Sequence, residues 1–145
     1  MTAEMALARL HPSVRVEPSE LQPGERGRIV VTLDIPNGCH VQSHTPNEPF
    51  LIPTTIHLDR VPVAGFGPAV YPPVEIERFD WTPVELEVHR GTVDIVVPVE
   101  IAPDAGTGEV AVTGHVRYQA CTEAACLPPV EERIEARVNI QAVKE

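Results

Sequence analysis

The chain has 145 residues, a length that suits one domain with a single core. It carries 21 acidic against 11 basic side chains, a formal net charge of −10, and has no Lys/Arg cluster, so nucleic acid and anionic membrane surfaces are poor partners. Hydrophobic residues make up 43%, with Val and Ile prominent, while sixteen prolines and nine glycines leave little room for long helices.

No apolar run approaches the ~20 residues needed to span a bilayer. The opening stretch, Met1 to Leu10, has neither a basic start nor a continuous apolar segment, and does not read as a signal peptide. It reads as a disordered extension or a short Ala/Leu-rich helical turn, so residues 1–13 are expected to be an extension and 14–145 the domain. From Arg28 the pattern alternates, with Ile29, Val31, Leu33 and Ile35 on one face and Val30, Thr32 and Asp34 on the other, which predicts a strand. Pro36-Asn37-Gly38 breaks it as a turn. Further strands are predicted at Cys39–Gln42, Thr54–Leu58, Glu85–His89, Val93–Ile101, Glu109–Tyr118 and Arg133–Gln141. Pro98 cannot donate to a ladder, so an edge or a bulge is expected there. The segment from Arg60 to Asp80 is the least regular, and its interleaved aromatics suggest a packed lid rather than a loose connector. About seven strands with turns between them predict an all-β fold, an immunoglobulin-like antiparallel β-sandwich.

Three cysteines read as one pair plus one extra thiol. Cys121 ends one predicted strand and Cys126 precedes the next, so a hairpin would bring the two sulfurs together near its mouth. Closing a loop of about six residues is worth roughly 2 kcal/mol in the chain-entropy model, against roughly 4.5 kcal/mol for a bridge from Cys39 to either partner. The pair is a weak staple, and its close spacing suits reversible chemistry in which one thiol attacks and the other resolves. Spacing alone leaves open an ordinary hairpin disulfide, two buried thiols and a redox pair. Pro128-Pro129 stiffen the exit from the loop, and Tyr118-Gln119 lead into it. There is no CxxC and no helix N-terminus to depress a thiol pKa, so the pair would depend on a partner whose own thiol is activated.

The stretches Tyr118-Gln119-Ala120-Cys121 and Cys126-Leu127-Pro128-Pro129 resemble the active-site region of the N-terminal periplasmic domain of DsbD, the thiol:disulfide interchange protein. Pro36-Asn37-Gly38-Cys39-His40-Val41, Pro53-Thr54-Thr55-Ile56 and Tyr71-Pro72-Pro73 are similar to further segments of that family, in the same order, and the resemblance spans roughly residues 14 to 142. It implies an immunoglobulin-like sandwich with both cysteines on one hairpin. It implies a protein-disulfide reductase activity in an extracytoplasmic electron-transport relay. Electrons would come from a thioredoxin-like domain and leave to oxidised periplasmic thioredoxin-fold proteins, disulfide isomerases and cytochrome c biogenesis thioredoxins among them. By the match of its motif, Cys126 would form the mixed disulfides and Cys121, more buried, would resolve them. A cap loop would shield the bridge with an aromatic, for which Phe79 and Trp81 are candidates, and Glu77, Asp80 and Tyr118 are candidates for tuning the pair. No cofactor is expected, and a monomer is expected. Three departures stand out. The spacer is four residues, Cys39 stands where the family usually has Trp, and neither a signal peptide nor a membrane segment is present. The chain would then be a free-standing relative or a piece excised from a protein with a membrane domain.

Two other readings are weighed against this one. The first is an immunoglobulin-like interaction module with a purely structural disulfide. The second is a metal carrier using Cys39, His40 and His44 with His57 or His115 as a further ligand, although Cys39 reads better as a small buried apolar residue. Glu131, Glu132 and Glu135 are expected on the polar face of the last strand, beside Arg133 and Arg137. No Ser/His/Asp arrangement, dinucleotide fingerprint or P-loop is present.

Overall fold

A computed structural model describes residues 9–143. Among them there are twelve strands and no helix: β1 (Ser13–Glu17), β2 (Glu20–Leu21), β3 (Arg26–Asp34), β4 (Cys39–Gln42), β5 (Thr55–Leu58), β6 (Ala64–Phe66), β7 (Glu75–Glu77), β8 (Leu86–His89), β9 (Thr92–Ile101), β10 (Gly108–Tyr118), β11 (Ala120–Thr122) and β12 (Val130–Ile140). They form three sheets, ordered β1-β3-β9-β6, β2-β12-β10-β5 and β11-β4-β8-β7, all antiparallel except for the β2–β12 pair. The architecture is the expected immunoglobulin-like sandwich, with a small third sheet that the sequence reading did not separate from the other two.

The period-two pattern builds the main core. Ile29, Val31 and Leu33 of β3 and Ile95, Val97, Val99 and Ile101 of β9 meet Val112, Val116 and Tyr118 of β10 and Ile134, Ala136, Val138 and Ile140 of β12. Burying each Val or Ile fully contributes about 1.5–3 kcal/mol, so these four strands carry most of the stabilisation. β9 is flanked on both sides, yet Pro98 is tolerated. Its carbonyl accepts from Gly67 N at 2.9 Å, just past the end of β6, and the chain returns to β9 only at Val70. In an extended strand N and C=O of one residue point to the same side, so the missing donor faces this break in the edge and no ladder bond is lost.

Residues 1–8 of the predicted extension lie outside the described residues. Leu10, in contrast, is buried in the main core, and its backbone N donates to Tyr118 Oη at 2.6 Å. The Pro36-Asn37-Gly38 turn forms as expected, with Gly38 at φ +81° and Cys39 N donating to Pro36 O at 3.1 Å. It delivers the chain directly into β4, the strand that carries the floor of the site.

One expectation is corrected. Glu132 is not on the polar face of β12 but on the buried face with Ile134 and Ala136. Period two places it there, and the carboxylate is tolerated because it is saturated with donors: Tyr118 Oη, Leu10 N at 3.3 Å and His11 N at 3.1 Å.

Candidate functional site: a bridged cysteine pair beside an aromatic stack

The long β10–β12 hairpin runs in continuous register from Gly108↔Ile140 to Tyr118↔Val130. Beyond Tyr118 the chain leaves that ladder, and β11 pairs instead with β4, Ala120↔Val41, Cys121↔His40 and Thr122↔Cys39. A tight turn then returns it. Thr122 N donates to Ala125 O at 2.8 Å, Leu127 N donates to Ala120 O at 2.9 Å, and Thr122 Oγ1 accepts from Ala124 N and Ala125 N at 3.3 and 3.2 Å. Cys121 and Cys126 face each other between those two backbone bonds. Their disulfide joins Cα atoms only 3.9 Å apart, a directly cross-strand arrangement.

Residues opposite one another in a ladder share a face, so the register sorts the side chains of the third sheet. Cys39, Val41 and Ala120 look into the main core. Cys121, His40, Gln42 and Val88 look the other way. A second, smaller core covers this outer face: Leu51, Phe79, Leu86 and Val88 are buried, with Trp81, Val84 and Cys126 packed against them. Phe79 stacks on His40 with ring centroids 4.5 Å apart and on Trp81 at 5.8 Å. Both cap candidates belong to one aromatic stack with His40, Phe79 buried and Trp81 half-buried, and Trp81 lines the pocket that reaches Cys126.

The two sulfurs are unequally placed. Cys121 is 0% exposed, whereas Cys126 is half-buried. Cys126 opens onto a shallow pocket of about 270 Å³ lined by Phe50, Leu51, Trp81, Gln119, Ala124 and Ala125. Phe50 is 61% exposed at its edge. Gln119 holds the pocket together, its Oε1 accepting from Ile52 N at 3.1 Å and its Nε2 donating to Leu127 O at 3.3 Å.

The polar surroundings are sparse. Gln42, fully buried, donates through Nε2 to Cys121 Sγ at 3.2 Å and reaches Cys126 Sγ at 3.9 Å, while its Oε1 has no partner. Neither ring nitrogen of His40 has a partner. Burial pushes its imidazole down to about 4, with nearby Arg90 acting in the same direction and Glu77 opposing. Glu77 pairs with Arg90, Oε2 to Nε at 2.5 Å, and Arg90 Nη1 also donates to Cys39 O at 3.1 Å. Asp80 is exposed, at the rim with Arg78 and Glu123. Tyr118 sits in the main core, and its hydroxyl is engaged by Glu132 and Leu10 rather than by a sulfur. Burial, reinforced by the bond to Glu132, pushes its phenol pKa up.

The proposed metal set is dispersed. Cys39 is a free thiol in the main core, His40 lies against Phe79, and His44 stacks on Tyr71 at 4.3 Å. His57 and His115 pair with each other across β5 and β10. Among the described residues no group of three His, Cys, Asp or Glu side chains is arranged to hold a metal. Gln42, Leu51 and Phe50 are the contributors that sequence reasoning did not assign to the site, while Gln119 stood in the cysteine motif without a role of its own.

A bridged cysteine pair, one sulfur sealed and one open, at the end of an immunoglobulin-like sandwich defines the class of thiol:disulfide interchange domains when joined to the following match. The family described as thiol:disulfide interchange protein DsbD, N-terminal, matches residues 8–137. The chain belongs to this family. Its fold is similar to that of the N-terminal domain of DsbD from Neisseria meningitidis in the reduced form, with a TM-score of 0.52 and 17% identity over 88% of this chain and 84% of that one. It is also similar to the N-terminal periplasmic domain of ScsB from Proteus mirabilis, with a TM-score of 0.53 and 10% identity over 86% of this chain but 43% of that one. No curated protein matches the chain.

Proposed function

We propose that this domain is a relay in a thiol:disulfide interchange chain outside the cytoplasm. It takes an electron pair from a thioredoxin-like donor and passes it to oxidised partner proteins of thioredoxin fold, acting as a protein-disulfide reductase. Cys126 forms the mixed disulfides and Cys121 resolves them. In the delivering direction, the Cys126 thiolate attacks a partner disulfide and one partner sulfur leaves as thiolate. Cys121 then attacks Cys126 Sγ, re-forming the internal bridge and releasing the second partner thiolate, so the partner gains two electrons and the domain loses two.

The observation that carries this reading is the asymmetry of the pair. A partner can reach Cys126 through the pocket beside Trp81 and Phe50, whereas Cys121 is fully buried. A purely structural role fits less well, because two backbone hydrogen bonds already close the turn on either side of the bridge. The test is to trap the intermediate. Cys121→Ser protein, reduced and mixed with an oxidised thioredoxin, should accumulate a covalent complex that dithiothreitol dissolves, whereas Cys126→Ser protein should give none. Equal trapping by both variants would remove the assigned roles, and no trapping by either would remove the relay.

A further inference from the structure

Cys121 presents a chemical difficulty. It must become an anion twice per cycle, as attacking thiolate when the domain delivers electrons and as leaving thiolate when the domain accepts them. Yet it is fully buried in an apolar setting that disfavours charge. Its partner Cys126 packs against the small apolar core of Leu51, Phe79, Leu86 and Val88, and the charged groups beside His40, Glu77 and Arg90, are paired with each other.

From the geometry we infer that Gln42 is a catalytic residue of this exchange, its side-chain N–H stabilising the sulfur anion of Cys121 in both directions. The inference rests on the relay assigned above. Gln42 lies two positions along β4 from His40, the residue opposite Cys121, which makes it the diagonal neighbour on the same face. Its Nε2 lies 3.2 Å from Cys121 Sγ, nearer than to Cys126 Sγ at 3.9 Å, so it favours the sealed sulfur. Because the amide is fully buried, the donor has no competing water and is fixed in place before the charge forms. A donor gains far more from a thiolate than from a disulfide sulfur, so the contact is worth most at the moment of transfer.

The same amide also explains an otherwise costly feature. Gln42 Oε1 is buried without a partner in the bridged state. Reduction of the bridge would create two S–H donors next to this amide group, a source of the partner that the disulfide does not supply.

In the delivering direction the balance is simple. Cys126 Sγ is bonded to one partner sulfur, and the Cys121 S–H gives its proton to the partner thiolate freed in the first attack; the Cys121 thiolate then attacks Cys126 Sγ, the bond to the partner breaks, and the negative charge leaves on the second partner sulfur. Gln42 gives up no proton; it only holds the charge before attack. In the accepting direction the same steps reverse, and Gln42 receives the charge on Cys121 as it leaves, which hastens departure by lowering the basicity of the leaving sulfur.

The test uses the reduced domain, on a Cys39→Ala background so that the third thiol is silent, with the aromatic disulfide dithiobis-nitrobenzoate in excess. The first nitrobenzoate thiolate released reports attack by Cys126, and the second reports resolution by Cys121. Gln42→Leu should leave the first phase within about twofold and slow the second about tenfold or more, the scale of one hydrogen bond to a charged group. The pH midpoint of the second phase should rise by about one to two units, because a more basic thiolate is also a better nucleophile and recovers part of the rate. Gln42→Glu, which keeps the side chain's length, should slow the second phase further as its carboxylate ionises. Other charged groups around this face are Glu77, Arg90, Arg78, Asp80 and Glu123. His40 stays neutral across pH 6–9, since burial holds it down near 4, so the midpoint reads the thiol. A second phase unchanged in Gln42→Leu would overturn the inference, as would equal slowing of both phases together with a lowered melting temperature, which is the mark of a packing role. Failure of the unsubstituted domain to release a second thiolate would instead be a failure of the relay itself.

Discussion

The two cores of this domain are built by different rules. The main core between the first two sheets is almost wholly aliphatic, and its buried carboxylate, Glu132, has three donors. The small core over the third sheet combines four buried apolar side chains with His40, Gln42 and Trp81, whose buried polar atoms include several without partners. The strands differ as well: β10 and β12 are eleven residues long, while β11 has three residues and β4 four. One region is designed to stay closed. The other stores unmet polar groups around a reactive bond, which is where local rules are broken for the sake of chemistry.

Substitutions can sharpen this contrast. The largest effect should come from Cys126→Ser, which should abolish mixed-disulfide formation with an oxidised thioredoxin, while a main-core change such as Val112→Ala should lower the melting temperature and leave mixed-disulfide formation per folded molecule unchanged. Phe79→Ala should cost about 3–5 kcal/mol in a urea titration, as for other buried aromatics. It should also speed reduction of the bridge by glutathione, because it uncovers the sulfurs. A loss of stability with no change in that rate would make Phe79 plain core rather than cap.

Acid should act through the small core. Unfolded, His40 titrates near its ordinary value, and folded near 4. Below its ordinary pKa the unfolded chain therefore binds the proton that the folded one refuses, and stability falls as pH drops from about 6.5 to about 4, by on the order of 3 kcal/mol. His89, also pushed down by burial, adds in the same direction. His40→Phe, which keeps the stack on Phe79, should flatten most of that slope in denaturant titrations at several pH values. The smallest effect should be that of Glu77→Gln. This half-exposed pair with Arg90 should contribute less than about 1 kcal/mol, and the loss should shrink with added salt.

The long strands β3, β9, β10 and β12 were legible because each alternates over eight or more residues, and the position of the cysteines on a hairpin followed from them. The two-residue β2 and the three-residue β6, β7 and β11 were not, since such short strands carry no period of their own and exist through their partners. The same reason hid Gln42. Its contact with Cys121 spans 79 positions and depends on β11 leaving the β10 ladder to pair with β4. The misplacement of Glu132 has a different cause. Its face was evident from Ile134 and Ala136, but the donors that make a carboxylate acceptable there come from Tyr118 and from the segment at Leu10 and His11, which looked like an extension. The aromatic stack was half-legible: aromatics near residue 80 were evident, but not that Phe79 and Trp81 form one stack with His40.

The most direct test of the central claim is the redox equilibrium of the Cys121–Cys126 pair in glutathione buffers, read as alkylated thiols by mass. A relay pair should open and close within the range of the glutathione pool, at a potential above about −300 mV. A pair that stays bridged throughout, below that value, would mark the disulfide as structural and rule out the relay.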